Sequence, residues 1–265
     1  MLITRVLVGL LGIPLAIIVV YTGGLPLLIS LIVLSLLGLH EFYRMARSYK
    51  PNLLAGYAGA IFILIGAHTG ELAGALRGVI YLFALTFILH AIRGLKPEMM
   101  GEMAVTFFGA FYVGMGFAHI ILLRSLEFGI SLAIVVLLAT WTSDTVAYAV
   151  GHFYGQRPIS PVISPKKTIE GTLAGFIGTI LVVLVAGKSL EWMMGSVQFF
   201  VLGLALAIAA PIGDLFESYL KRVSQVKDAG TIIPGHGGIL DRFDSLLFAG
   251  VAAYYIVTAM VGNSG

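Results

Sequence analysis

All five aspartates of this 265-residue chain, Asp144, Asp214, Asp228, Asp241 and Asp244, fall in its second half. Asp144 lies inside the apolar stretch from Leu137 to Tyr148, and Asp214 directly follows Ala209-Ala210-Pro211-Ile212-Gly213. An ionisable group on a hydrophobic helix is costly and marks a functional site by default, unless it only hydrogen-bonds a neighbouring helix. Asp214, Glu217, Ser218 and Lys221 stand at i, i+3, i+4 and i+7, which puts them on one helical face. Neighbouring carboxylates repel unless a cation lies between them. Mg²⁺ suits such a place, since it takes carboxylate and phosphate oxygens and leaves positions open for substrate. The alternative is a solvated polar face at a helix end, which fits Glu217 and Lys221 better than Asp214.

The segment after that face is the densest in chemistry. It reads Ser218-Tyr219-Leu220-Lys221-Arg222, then Lys227-Asp228, then Ile233-Pro234-Gly235-His236-Gly237-Gly238-Ile239-Leu240-Asp241-Arg242-Phe243-Asp244. Three glycines around one histidine let main-chain N–H groups approach an anion. The basic side chains Lys221, Arg222, Lys227 and Arg242 can meet phosphate oxygens, and Asp228, Asp241 and Asp244 can meet a metal that bridges them. As bare pattern, a glycine-rich turn with mixed charge is also compatible with an ordinary loop. A second segment, Ser164-Pro165-Lys166-Lys167-Thr168 followed by Glu170-Gly171, offers a helix start that Thr168 or Ser164 could cap and whose free N–H groups attract phosphate. Paired lysines at a membrane boundary also serve as topology determinants.

The elements that position these groups are membrane helices. Hydrophobic residues make up 59% of the chain and charged residues 11%, where a soluble domain has about 45–50% and about 25%. Mean hydropathy is +1.01. A soluble single domain is excluded. The absence of cysteine excludes a disulfide framework, a thiolate zinc site, an iron–sulfur cluster and a thiol nucleophile. Apolar runs bounded by Gly, Pro or charge predict an all-α polytopic membrane protein. About nine helices are expected, at residues 6–22, 25–45, 52–68, 76–93, 102–123, 130–152, 170–187, 197–221 and 245–262. The first run offers no small-x-small cleavage site and reads as a retained helix, joined to the second by a tight Gly-Gly-Leu-Pro turn.

With a cytoplasmic N-terminus, all but three of the 16 basic residues fall on the cytoplasmic side, the exceptions being Arg77, Arg124 and Lys188. The C-terminus then lies on the opposite side. The chain divides into helices 1–5 (1–128) and helices 6–9 (129–265) within one transmembrane domain. Two long cytoplasmic loops, 153–169 and 222–244, are the expected seat of function.

Ser218 to Asp244 resembles the signature of the phosphatidate cytidylyltransferases, or CDP-diacylglycerol synthases, with S-x-x-K-R, K-D, I-P-G-H-G-G and D-R-x-D in order. Asp144-x-x-x-Tyr148-x-x-Gly151-x-x-x-Gly155 and Ser164-Pro165-Lys166-Lys167-Thr168-x-Glu170-Gly171 are similar to a second stretch of that family. Leu39-His40-Glu41-Phe42-Tyr43-Arg44 is similar, more weakly, to a third. The resemblance implies magnesium-dependent transfer of CMP from CTP to phosphatidic acid, giving CDP-diacylglycerol and pyrophosphate. It also implies that Asp214, Asp241 and Asp144 hold one or two cations, with Asp244 and Asp228 beside them. Lys221, Arg222, Lys227, Arg242, Lys166 and Lys167 would meet the phosphates of CTP and the lipid. Ser218, Gly237, Gly238 and His236 would shape or contact the substrate, His236 without acting as a base. A bacterial plasma membrane, with the site on its cytoplasmic side, goes with this family type, and no DNA or RNA partner is expected.

Two other readings compete. An ion-coupled transporter would suit intramembrane acids and many glycines, but here the aspartates are confined to the C-terminal half. A CTP-using polyprenol or phytol kinase would share the metal and phosphate needs. Glu41 is expected to pair with Arg44 at the end of the second helix. Gly151-x-x-x-Gly155 and Gly171-x-x-x-Gly175 permit close packing within the chain or self-association into a homodimer.

Overall fold

The computed structural model describes residues 2–94, 97–190, 194–232 and 237–262, with side chains described between Gly9 and Met260 within those ranges. Among the described residues there are eight α-helices, seven of them long and apolar enough to cross a membrane. The chain forms two compact units: residues 1–125 with 224–242, and residues 126–223 with 243–265.

In the first unit, α1 (Leu2–Thr22) and α2 (Gly24–Met45) are separated by a single break. Gly23 and Gly24 both take positive φ, 62° and 51°, which glycine adopts without a Cβ penalty. The freed carbonyls at the end of α1 are met by Arg124, whose guanidinium donates to Val20 O at 2.8 Å and Tyr21 O at 3.2 Å. A short 3₁₀ turn (Arg47–Tyr49) leads to α3 (Leu53–Ala91), whose start is capped by the Asn52 side chain accepting from Ala55 N–H. The predicted runs 52–68 and 76–93 are limbs of this one element. It breaks at Gly70 and Glu71, which leave helical φ/ψ, and folds back on itself. A Cβ at Gly78 would meet the Ile63 backbone at 2.6 Å, and one at Gly59 would meet Leu82, so small residues bring the limbs into contact. This is why eight elements are found where nine runs are expected. α4 (Met99–Ser125) is the most deeply buried of the candidate spans and packs mainly on α3.

In the second unit, α5 (Gly129–Tyr154) and α6 (Ile169–Lys188) pack closely. A Cβ on Gly171 would lie 2.5 Å from Ala147 O and 2.9 Å from Gly151 Cα, and one on Gly175 would lie 2.8 Å from Ser143 O. The small-xxx-small pairs read from the sequence are therefore spent within the chain. α7 (Ser196–Val223) packs on both helices. The last helix, α8, runs Leu240–Gly262, five residues earlier than the predicted start at 245.

Between α5 and α6 the expected loop is an antiparallel hairpin of β1 (Pro158–Ser160) and β2 (Ser164–Thr168), pairing Pro158 with Thr168 and Ser160 with Ser164. Its base is tied by Glu170, whose carboxylate accepts from Gln156 N–H at 3.1 Å, Arg157 N–H at 3.3 Å and Arg157 Nε at 3.0 Å. Thr168 caps α6, accepting from Gly171 N–H at 3.2 Å. Arg222 Nε at the end of α7 donates to Ile163 O at 3.1 Å.

Candidate active site

The acids divide between two settings. In the second unit, the shared face predicted for α7 forms as expected and carries Asp214, Glu217, Ser218 and Lys221. Glu217 is completely buried, and its carboxylate is paired with Lys221 one turn on. Asp214 is paired with Lys167 at the end of β2, and both side chains keep about 30% of their surface exposed (28% and 30%). Beside them lies Asp244 of α8, 6% exposed, with Oδ1 accepting from Ser245 N–H at 2.6 Å. The carboxylates of Asp214, Glu217 and Asp144 all lie near enough for their charges to act on Asp244. A glycine makes this approach possible: a Cβ on Gly213 would collide with Asp244 O. Phe216 and Phe248 pack ring to ring at 5.5 Å just beyond.

Asp144 and Lys166 are exposed, as is Arg222, which holds the hairpin through Ile163. Lys221 is engaged by Glu217, and Ser218 is 7% exposed beside it.

In the first unit, the segment leading into α8 is organised by two carboxylates that accept main-chain N–H groups. Asp241 Oδ2 accepts from Gly238 N–H at 2.8 Å and Ala229 N–H at 3.1 Å. Gly237 has φ of +84°, where a side chain is strained, and a Cβ there would lie 2.8 Å from the same Oδ2. Glu41, 1% exposed on α2, accepts from Leu240 N–H at 3.0 Å through Oε2. Lys227, Asp228 and Arg242 are exposed. His236 lies outside the described residues.

Two expectations are corrected. Asp241 and Asp244 are not in the 222–244 loop; they stand on the first turns of α8. Helix begins earlier than hydropathy suggests because side-chain carboxylates satisfy N–H groups at and just before its start. Glu41 does not pair with Arg44. It points away from solvent to the start of α8, while Arg44 is exposed. The sequence signal for this was available: an acid flanked by Leu39 and Phe42 sits on the buried side of α2. Its partner, 199 residues away, had no local trace.

Among the described residues no three Asp, Glu or His side chains stand in a metal-ligating arrangement. Lys167 and Lys221 hold two of the carboxylates. The donor set of Asp144, Asp214 and Asp244 is nonetheless all carboxylate oxygen, the chemistry that Mg²⁺ selects.

Seven helices long and apolar enough to cross a membrane, with carboxylates and lysines paired on and beside them, define a polytopic membrane protein with polar groups inside its helical units. The pattern of the cytidylyltransferase family matches residues 3–260, and the chain belongs to that family. It is 32% identical over 260 residues to the phosphatidate cytidylyltransferase of Bacillus subtilis (strain 168), covering 96% of each chain. The enzyme of the same name from Staphylococcus epidermidis (strain ATCC 12228) is 34% identical over 251 residues, 92% of this chain and 94% of that one. The one from Staphylococcus aureus (strain COL) is 35% identical over 231 residues, 85% and 87%.

Proposed function

We propose that this protein is a membrane-embedded nucleotidyltransferase that transfers CMP from CTP to phosphatidic acid, giving CDP-diacylglycerol and pyrophosphate. The observation that carries this reading is the relatives' similarity along nearly the whole chain, 32% and 34% identity over 96% and 92% of it.

The chemistry needs no nucleophile from the protein. An oxygen of the lipid phosphate monoester attacks the α-phosphorus of CTP, a new P–O bond forms, the bond to the β-phosphate oxygen breaks, and pyrophosphate carries away the electron pair. Catalysis of such a transfer is positioning and charge stabilisation. Asp214, Asp244 and Asp144 are the residues proposed to hold Mg²⁺. Mg²⁺ supplies charge neutralisation on the triphosphate and the departing pyrophosphate. Lys167 keeps Asp214 neutralised before substrate arrives, then turns to a phosphate; its partly exposed, flexible stem suits that exchange. Lys166 and Arg222 flank it. Lys221 neutralises Glu217 and keeps the buried face intact. In the first unit, Gly237, Gly238, His236, Lys227 and Arg242 form the second phosphate-binding segment, with Asp241 holding its main chain in shape.

A cytoplasmic N-terminus, a site on the cytoplasmic face of a bacterial plasma membrane and an opposite C-terminus complete the proposal. The segregation of basic residues supports it, and the fold-back of α3 is compatible with the two crossings the count assigns there.

Purified protein in mixed micelles with phosphatidic acid and CTP labelled at either the α- or the γ-phosphate tests the reaction. Label from the α-position should enter the lipid, and EDTA should stop it. Lipid labelled from the γ-position would instead identify a kinase, and no labelled lipid at all would leave transport.

A further inference from the structure

Glu41 is far from the family signature in sequence, yet it is the most buried acid of the first unit that grips that signature. Its Oε2 accepts Leu240 N–H at 3.0 Å, and Ile239 N–H also faces the carboxylate. These are groups at the start of α8 that no intrahelical carbonyl can satisfy. A helix N-terminus is normally capped by the residue preceding it; here the cap comes from a different helix. Two glycines of the surrounding segment pack directly on Glu41. A Cβ on Gly230 would collide with Glu41 Oε1 and lie 2.6 Å from its Cδ, and a Cβ on Gly238 would lie 2.5 Å from Oε2. Among the described residues Oε1 is buried without a hydrogen-bond partner, and the carboxylate is held by fit as well as by donors.

We infer that Glu41 is a positioning residue for phosphate binding: it caps α8 from α2 and clamps Gly230 and Gly238, thereby setting the main chain that carries Gly238 and Asp241. The kinetic part of this inference rests on the cytidylyl-transfer reading; the structural part does not. Arg44, three residues on, is exposed.

The test combines Glu41→Gln, Glu41→Ala and Gly230→Ala with the Gly230→Ala/Glu41→Ala double variant, all as full-length protein in micelles. Amide exchange at Ile239 and Leu240 should accelerate about tenfold in Glu41→Ala and less in Glu41→Gln, whose carbonyl still accepts one N–H. The KM for CTP, for phosphatidic acid or for both should rise about tenfold with a smaller change in kcat, and Glu41→Gln should recover part of it. Which KM moves identifies whose phosphate the segment seats. Gly230→Ala should disturb exchange and KM in the wild-type background but add little once Glu41 is Ala, because the group it collides with is gone.

Wild-type exchange at Leu240 in Glu41→Ala, or unchanged values of both KM in the folded variants, overturns the inference. Additive effects of Gly230→Ala and Glu41→Ala overturn it too. If Glu41→Ala does not fold, the Glu41→Gln and Gly230→Ala measurements decide. A wild-type protein without cytidylyl transfer would sink the proposed reaction while leaving the exchange result to judge the clamp.

Discussion

Two carboxylates in each unit meet different kinds of partner. In the second unit, Asp214 and Glu217 face the ammonium groups of Lys167 and Lys221. In the first, Glu41 and Asp241 face main-chain N–H groups of Leu240, Gly238 and Ala229. A lysine on a four-carbon stem can leave its partner and meet a phosphate at small cost; a main-chain N–H cannot leave without the chain moving. The difference separates partners on flexible side chains from partners fixed to the main chain. Within the second unit the same contrast recurs on a smaller scale: the Lys167–Asp214 pair is about 30% exposed, whereas Glu217 is wholly buried.

The sharpest attempt to break this comparison is Asp214→Asn. It should lower kcat by about 10³-fold or more, as loss of a central electrostatic group does, with thermal unfolding in detergent unchanged. Near-normal turnover would return Asp214 to a purely structural pairing. Asp241→Asn keeps an oxygen for the two N–H donors but loses the charge. It should cost about 10²-fold in kcat/KM, measured with CTP varied; a normal value would show that neutral hydrogen bonding suffices there.

Lys221→Ala strands a buried carboxylate and should destabilise the protein by about 3–5 kcal/mol. The Lys221→Met/Glu217→Gln pair should recover most of that loss in the same thermal assay, and failure to recover would mean that the pair does more than neutralise. Lys167→Ala, by contrast, should leave stability within about 1 kcal/mol, because its pair is partly exposed. It should raise an apparent substrate KM about tenfold, a loss typical of one charge-assisted phosphate contact. A stability defect as large as that of Lys221→Ala would erase the distinction between the two lysines. The smallest effect belongs to Thr168→Ala, which removes the α6 cap and should cost about 1 kcal/mol with turnover preserved, as read by unfolding and by the α-label assay.

Much of this was legible in the chain. Hydropathy locates the spans because a membrane helix must be apolar along about 20 residues. The i, i+3, i+4, i+7 spacing places Asp214, Glu217, Ser218 and Lys221 together because helical periodicity alone does so. Gly23-Gly24 announces a turn and Thr168 a cap for the same local reasons. What was not legible depends on distant partners. Hydropathy starts the last helix at 245 because Asp241, Arg242 and Asp244 look like loop. Carboxylates at its start let the helix take them in. Glu41 looks like a partner for Arg44 because i,i+3 neighbours are visible locally, whereas Leu240 is not.

Residue types and periodicity by themselves therefore determined a helical membrane protein, the confinement of its aspartates to the second half and the string of motifs from Ser218 to Asp244. These follow from solvent exclusion and from helix geometry, which act over one or two turns. Only the tertiary structure decided which cation or N–H group neutralises each acid, where α8 begins and what fixes its first turn. A carboxylate takes the partner that folding brings within about 3 Å of it, and that partner can be two hundred residues away.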